Sequence, residues 1–160
     1  MTENSEIRIL AVGDIMLGIG YPQSLASKNN IPKKLRDDQS SIISEEVKNL
    51  FKESDIVFGN LECVISENFN NYDRNSIIDY PPLVMAPLEG INLLRENFTH
   101  LNMVNNHILD HGKNKAEETL RYLKKNQIQN IGNPIKEKNE LQTVSIKNRK
   151  IGFLGYNLCI

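Results

Sequence analysis

Leu101-Asn-Met-Val104-Asn105-Asn106-His107-Ile-Leu-Asp110-His111-Gly112 is the stretch that decides the fold of this chain. Leu101 to Val104 is a weak strand by composition. It follows a helical stripe of Leu88, Ile91, Leu94 and Phe98 and precedes another of Ala116, Leu120 and Leu123, so its place completes a β-α-β pattern. Two earlier apolar runs end in the same kind of polar cluster. Ile7 to Val12 leads into Gly13-Asp14-Ile-Met-Leu-Gly18, and Asp55-Ile-Val-Phe58 leads into Gly59-Asn60-Leu61-Glu62. If the three runs are neighbouring parallel strands, their carboxyl ends converge on the crevice where open α/β sheets bind ligands. The fold class expected is therefore α/β with a parallel sheet. Carboxylate, amide and imidazole groups meeting there fit a metal site better than a nucleophile triad, because hard cations take oxygen ligands and imidazole suits several transition metals.

The rest of the chain frames that crevice. At 160 residues it is long enough for one domain with a core. Nineteen basic against twenty acidic residues leave a charge of -1, which gives no reason to expect nucleic acid or an anionic membrane surface as partner. The polar start, Met-Thr-Glu-Asn-Ser-Glu, and the short first apolar run read as neither signal peptide nor membrane span, and two cysteines, Cys63 and Cys159, make no disulfide framework. A reduced, cytoplasmic chain is the expectation.

Residues 19 to 41 carry glycines, prolines and a charge cluster without a period, and read as a long surface loop; residues 66 to 82 read as a second excursion without a core of its own. Between them Ile43, Val47, Leu50 and Phe51 mark one helical face with Ser44 as N-cap, packing on the sheet. Pro87 suits the first turn of the next helix. A helix is expected over 113–126, a strand at 128–131, and a β-hairpin from 143–146 and 151–156 flanking Lys147-Asn-Arg-Lys150.

Each candidate residue also has a plainer reading. Asp14 after Gly13 is a common turn or cap, Asn60 followed by Glu62 can be a turn and a solvated carboxylate, and Cys63 is more simply a buried thiol than a nucleophile. Asn60 and Glu62, one residue apart in extended chain, do face the same way and can reach a common ion. His107 and His111 have the spacing of helical zinc ligands, but no Glu follows His107 and Gly112 argues for a turn, so His111 reads as incidental. Asp110 can cap the helix that starts near Lys113. The glycines at 18 and 20 match neither the dinucleotide fingerprint nor a phosphate loop, which leaves a nucleotide-binding α/β domain as a weak rival.

Taken in order, Gly13-Asp14-Ile-Met-Leu-Gly18, Asn60-Leu61-Glu62 after Asp55-Ile-Val-Phe, and Asn105-Asn106-His107-Ile-Leu-Asp110-His-Gly112 resemble the CapA family, the poly-γ-glutamate capsule-synthesis proteins related to calcineurin-like metallophosphatases. Gly132 and Ile151-Gly-Phe-Leu-Gly-Tyr156 match in position and character. The resemblance implies a metallophosphatase-like layered α/β sandwich with a two-metal site. Asp14 would be a metal ligand, Glu62 would ligate or bridge with Asn60 supporting or joining it, and Asn106 would bind the second metal. His107 would be general acid or charge stabiliser, and Asp110 would complete the catalytic pair by orienting the His107 loop. The cofactors implied are divalent ions, whether manganese, magnesium, iron or zinc, and the substrate a polyanionic polymer or phosphoester. The related phosphatases add further His ligands from a second half, and no such segment follows Gly112. Residues 1–160 therefore read as the N-terminal part of a CapA-like domain, incomplete at its C-terminus. Its expected partner is a separately encoded C-terminal half or a second copy, and the family often works outside the membrane. The rival role is a catalytically inactive scaffold that binds polymer or partner.

Overall fold

The computed structural model describes residues 6–18, 31–71, 84–136 and 141–157. In chain order the elements are β1 (Ile9–Ile15), α1 (Ile31–Asp37), α2 (Glu45–Lys52), β2 (Ile56–Leu61), β3 (Val64–Ser66), β4 (Met85–Pro87), α3 (Gly90–Asn97), β5 (His100–Asn102), α4 (Lys113–Lys125), β6 (Gln129–Ile131), β7 (Gln142–Ile146) and β8 (Arg149–Phe153). Short 3-10 turns occupy Gln39–Ser41 and Glu67–Asn71.

β1, β2, β5 and β6 form one parallel sheet in that order, so the β-α-β expectation holds and the three polar clusters lie at neighbouring strand ends. Alternation along the strands divides the sheet into two unlike faces. One carries Ile15, Val57, Leu61 and Leu101, and merges with the main core, to which α3 adds Ile91, Leu93 and Leu94 and α4 adds Ala116 and Leu123. The other carries Phe58, Asn60, His100 and Asn102. The β7–β8 hairpin lies over part of this second face, with the Phe153 ring stacked on His100 at 4.9 Å and tilted against Phe58 at 6.0 Å. Its two-residue turn, Lys147 and Asn148, has positive φ at both positions (47° and 61°), the backbone that lets a tight hairpin follow the strand twist. The architecture is a mixed α/β fold with a parallel sheet covered by helices, consistent with the metallophosphatase-like class.

Several local expectations change. Of the long loop, residues 19–30 lie outside the described residues, but 31–37 are helical and anchor the core through Pro32 and Leu35. Of the second excursion, residues 72–83 lie outside the described residues. Its first residue, Ser66, instead ends β3, and the 3-10 turn that follows buries Phe69; β3 pairs in parallel with β4 as a separate two-stranded sheet. Pro87 is the last residue of β4, not the first of a helix, and α3 starts at Gly90. α2 has its Ser44 cap, which accepts from Val47 N at 3.4 Å. Its stripe is only partly used, since Val47 and Leu50 are 38% and 54% exposed, and it packs through Phe51 against Phe98 (5.4 Å).

α4 is held by a bond that its apolar stripe does not reveal. Thr119, fully buried, accepts from Ile65 N at 2.9 Å and donates to Lys115 O at 2.9 Å. The hydroxyl thus satisfies a backbone donor of β3 from the flank of the helix.

Candidate functional site

Asp14 reaches the site through an irregularity in β1. Ala11 is opposite Phe58 and Asp14 opposite Asn60, so three steps along β1 match two along β2. Side chains alternate with each step, and in unbroken register Asp14 would stand opposite Leu61 on the apolar face. The extra residue is a β-bulge, a device that re-aims side chains. Beneath it Ile15 fills the space beside Gly59, where an added Cβ would fall 2.5 Å from the Ile15 methyl. The strand was expected to end at Gly13; it runs through Asp14 to Ile15.

Asn60 is the hub. Its Nδ2 donates to Asp14 Oδ1 at 2.9 Å and to Glu62 Oε1 at 2.9 Å, while its Oδ1 accepts from Asn102 Nδ2 at 2.8 Å and Asn105 Nδ2 at 3.2 Å. Two carboxylates are thereby gathered on one amide group. Burial raises the Glu62 carboxyl above its ordinary range, the neighbouring Asp14 charge raises it further, and His107 and the Asn60 amide oppose both. A pocket that crowds negative charge in this way suits a cation.

The His107 loop is locked to β2 by Asn105. Its Nδ2 also donates to Leu61 O at 2.8 Å, and its Oδ1 accepts from His107 N at 3.1 Å and Ile108 N at 3.0 Å. His107 Nδ1 lies 2.8 Å from Asp110 Oδ2. An Nδ1–H donated to Asp110 leaves Nε2 as the chemically available nitrogen. The alternative role for Asp110, capping α4, is not what it does. The residue before α4 is Gly112, without a side-chain cap.

The structure brings Asp14, Asn60, Glu62, His107 and Asp110 into one neighbourhood at the carboxyl ends of β1, β2 and β5. Asn106 is exposed and makes no hydrogen bond to the described residues. Cys63 is fully buried and its thiol is pushed up to about 12, chiefly by burial, which makes it inert at neutral pH. Asn105 stood in the polar cluster without a role of its own, and Asn102 was not singled out from the sequence. The available signal was two amides at one apolar run, Asn102 within it and Asn105 just after it, matching Asn60 after the run before.

As a metal cradle the donor set is oxygen-rich but small. Asp14 and Glu62 supply two carboxylates. Among the described residues no three His, Cys, Asp or Glu side chains converge as a cage. Carboxylates, carbonyl oxygens and water are the ligands a hard divalent cation takes, so the two groups fit such an ion with much of its shell left to water.

The chain spans less than a third of the curated relatives it resembles. It is 27% identical over 132 residues to the capsule biosynthesis protein CapA of Bacillus anthracis, covering 81% of this chain and 29% of that protein. It is 27% identical over 124 residues to the PGA biosynthesis protein CapA of Bacillus subtilis (strain 168), covering 76% and 28%. Residues 8–159 match the model of the family described as bacterial capsule synthesis protein PGA_cap, a span that takes in the bulge, the Asn60 hub and the His107 loop alike. By that match over nearly its whole length, the chain belongs to the PGA_cap family of bacterial capsule synthesis proteins.

Proposed function

We propose that this site holds a divalent cation between Asp14 and Glu62 and is this chain's share of a metal-dependent phosphoester site in a capsule-synthesis protein, one that turns over only when a C-terminal half supplies further ligands. The observation that carries the reading is the shared Asn60 amide, which gathers both carboxylates beside the His107–Asp110 pair. A bound divalent ion supplies Lewis acidity and lowers the pKa of bound water. The protein's own part is positional. Asp110 fixes the His107 ring so that a proton on Nε2 can pass to a departing oxygen, or a positive ring can steady charge developing there. Two carboxylates leave much of an ion's shell to water, so the chain by itself holds the ion weakly, without useful turnover.

Manganese titration by calorimetry, with an aryl-phosphate assay alongside, tests both halves. Weak binding that is lost in Asp14→Ala and Glu62→Ala supports the reading. No binding at all overturns it, and robust turnover lost on His107→Ala overturns the claim that this chain is catalytically weak alone.

A scaffold role is the second reading, favoured by the exposure of Leu154 and Tyr156 (48% and 69%) on either side of Gly155, which approaches Asn102 at the edge of the site. Apolar groups grouped on a surface mark interaction sites. Self-association seen by light scattering supports it, and a monodisperse monomer at high concentration counts against it.

A further inference from the structure

The orientation of the Asn60 carboxamide is forced from outside the site, by backbone groups that cannot exchange their roles. Val104 N donates to Asn102 Oδ1 at 3.3 Å, so that atom must be the oxygen, and the Asn102 group 3.1 Å from Val104 O must be the NH2. The same logic holds at Asn105, whose Oδ1 takes two backbone N–H groups and whose Nδ2 faces the Leu61 carbonyl. Both residues therefore present N–H donors to Asn60, and the atom of Asn60 they meet, at 2.8 and 3.2 Å, must be its oxygen. The Asn60 NH2 is left facing Asp14 and Glu62, with one hydrogen for each.

From this we infer that Asn102 and Asn105 are positioning residues of the cation site. They hold Asn60 as a clamp that spaces the two carboxylates, so Asn60 serves the site through its N–H groups and not as an oxygen ligand. An amide has two donors and two acceptor lone pairs, and the four contacts use all of them. To offer its oxygen to an ion, Asn60 would have to turn over, which would set its NH2 against two other NH2 groups and leave the carboxylates facing an oxygen. The inference rests on the proposed cation site for its functional consequence, but the clamp itself can be read without any metal.

The test uses the full chain, labelled with nitrogen-15, and two substitutions at Asn102. Asn102→Leu removes the donor to Asn60 at similar volume, and Asn102→Ser is the smaller alternative should the leucine chain fail to fold. The first readout is hydrogen exchange of the Asn60 side-chain NH2 in the metal-free protein, and the second is manganese affinity by calorimetry. Expected are slowly exchanging Asn60 amide protons in the parent chain, and loss of that protection in the Asn102 variant with backbone spectra otherwise retained. Manganese binding should weaken by about tenfold, as when partners that orient metal ligands are removed. Asn60 protons that exchange freely in the parent chain, or that stay protected in both variants, overturn the clamp. Unchanged manganese affinity in a variant whose Asn60 protection is lost overturns the positioning role. A parent chain with protected Asn60 protons and no manganese uptake overturns the cation reading, and with it the role given to Asn102 and Asn105, while the clamp geometry stands.

Discussion

Replacing Thr119 by valine is the cleanest probe of how the covering helix is fastened to the fold. The two side chains have nearly the same shape, so the change removes a hydroxyl without opening a cavity. Thr119 and Ile65 are both fully buried, and the lost group is the partner of Ile65 N at 2.9 Å. Lys115 O loses the hydroxyl that donates to it at 2.9 Å. A buried backbone donor left without a partner costs about 1–3 kcal/mol, and with no water able to reach Ile65 the upper half of that range applies, about 2 kcal/mol. With a urea slope of about 2 kcal/mol/M, the unfolding midpoint should fall by roughly 1 M. Equilibrium urea unfolding followed by circular dichroism measures this. Thr119→Ser, which keeps the hydroxyl and loses only a methyl, should fall by less, and Thr143→Val on the exposed side of β7 should move the midpoint little. A Thr119→Val protein with an unchanged midpoint would refute the claim that this hydroxyl fastens α4 to β3.

Two further predictions concern the site. Gly155→Ala sets a Cβ 2.5 Å from Asn102 Oδ1 and 3.5 Å from Val104 Cβ, so the Asn102 side chain must shift; manganese affinity, read by calorimetry, should fall by about tenfold while the thermal midpoint moves little, and an unchanged affinity would show that Asn102 can move at no cost. The raised Glu62 carboxyl fixes the sign of a pH effect. Its folded pKa lies above the ordinary glutamate value, chiefly through burial, so the folded metal-free chain holds the proton more tightly, and the stability this group lends falls as pH rises from the ordinary value through the folded one. Manganese must displace the same proton, so its affinity climbs over that window. Urea midpoints for the parent and Glu62→Gln chains across the window test this: equal slopes with pH would refute it.

The parallel order of β1, β2 and β5 was legible because helical stripes separate the apolar runs, a pattern that survives even where a strand is as weak in composition as Leu101–Val104. What stayed hidden was short or two-faced. β3 and β4 have three residues each, too few for a period to show, and α1 buries only Pro32 and Leu35 among charged neighbours. Pro87 was placed on a helix because proline favours first turns, yet at the end of β4 it costs the ladder little. Leu50 shows the opposite failure, since a stripe wide enough to pack need not all be covered. At the site, the polar clusters pointed to Asp14, Asn60, Glu62 and His107. Asn105 was obscured because an amide at the end of an apolar run looks like a terminator, and Asn102 because it sits inside that run; the sheet register and the turn after β5 are what bring both to Asn60.

The bulge in β1 absorbs a surplus residue, and the segment that forms it is open to changes in chemistry as well. Gly13 has nothing within 4 Å of where a side chain would start, and its φ is not in the left-handed region, so the position accepts residues other than glycine. Removing Val12 or Gly13 would leave two steps along β1 against two along β2, so an unbroken ladder would still set Asp14 opposite Asn60, and the bulge would be lost while the carboxylate pair stayed. What the native length cannot do without is the bulge itself: with three steps between Ala11 and Asp14, a β1 that ran regularly would turn the carboxylate towards Leu61 and the core. The irregularity is thus a slack loop in the ladder, taking up one surplus residue so that the carboxylate stays on the site face.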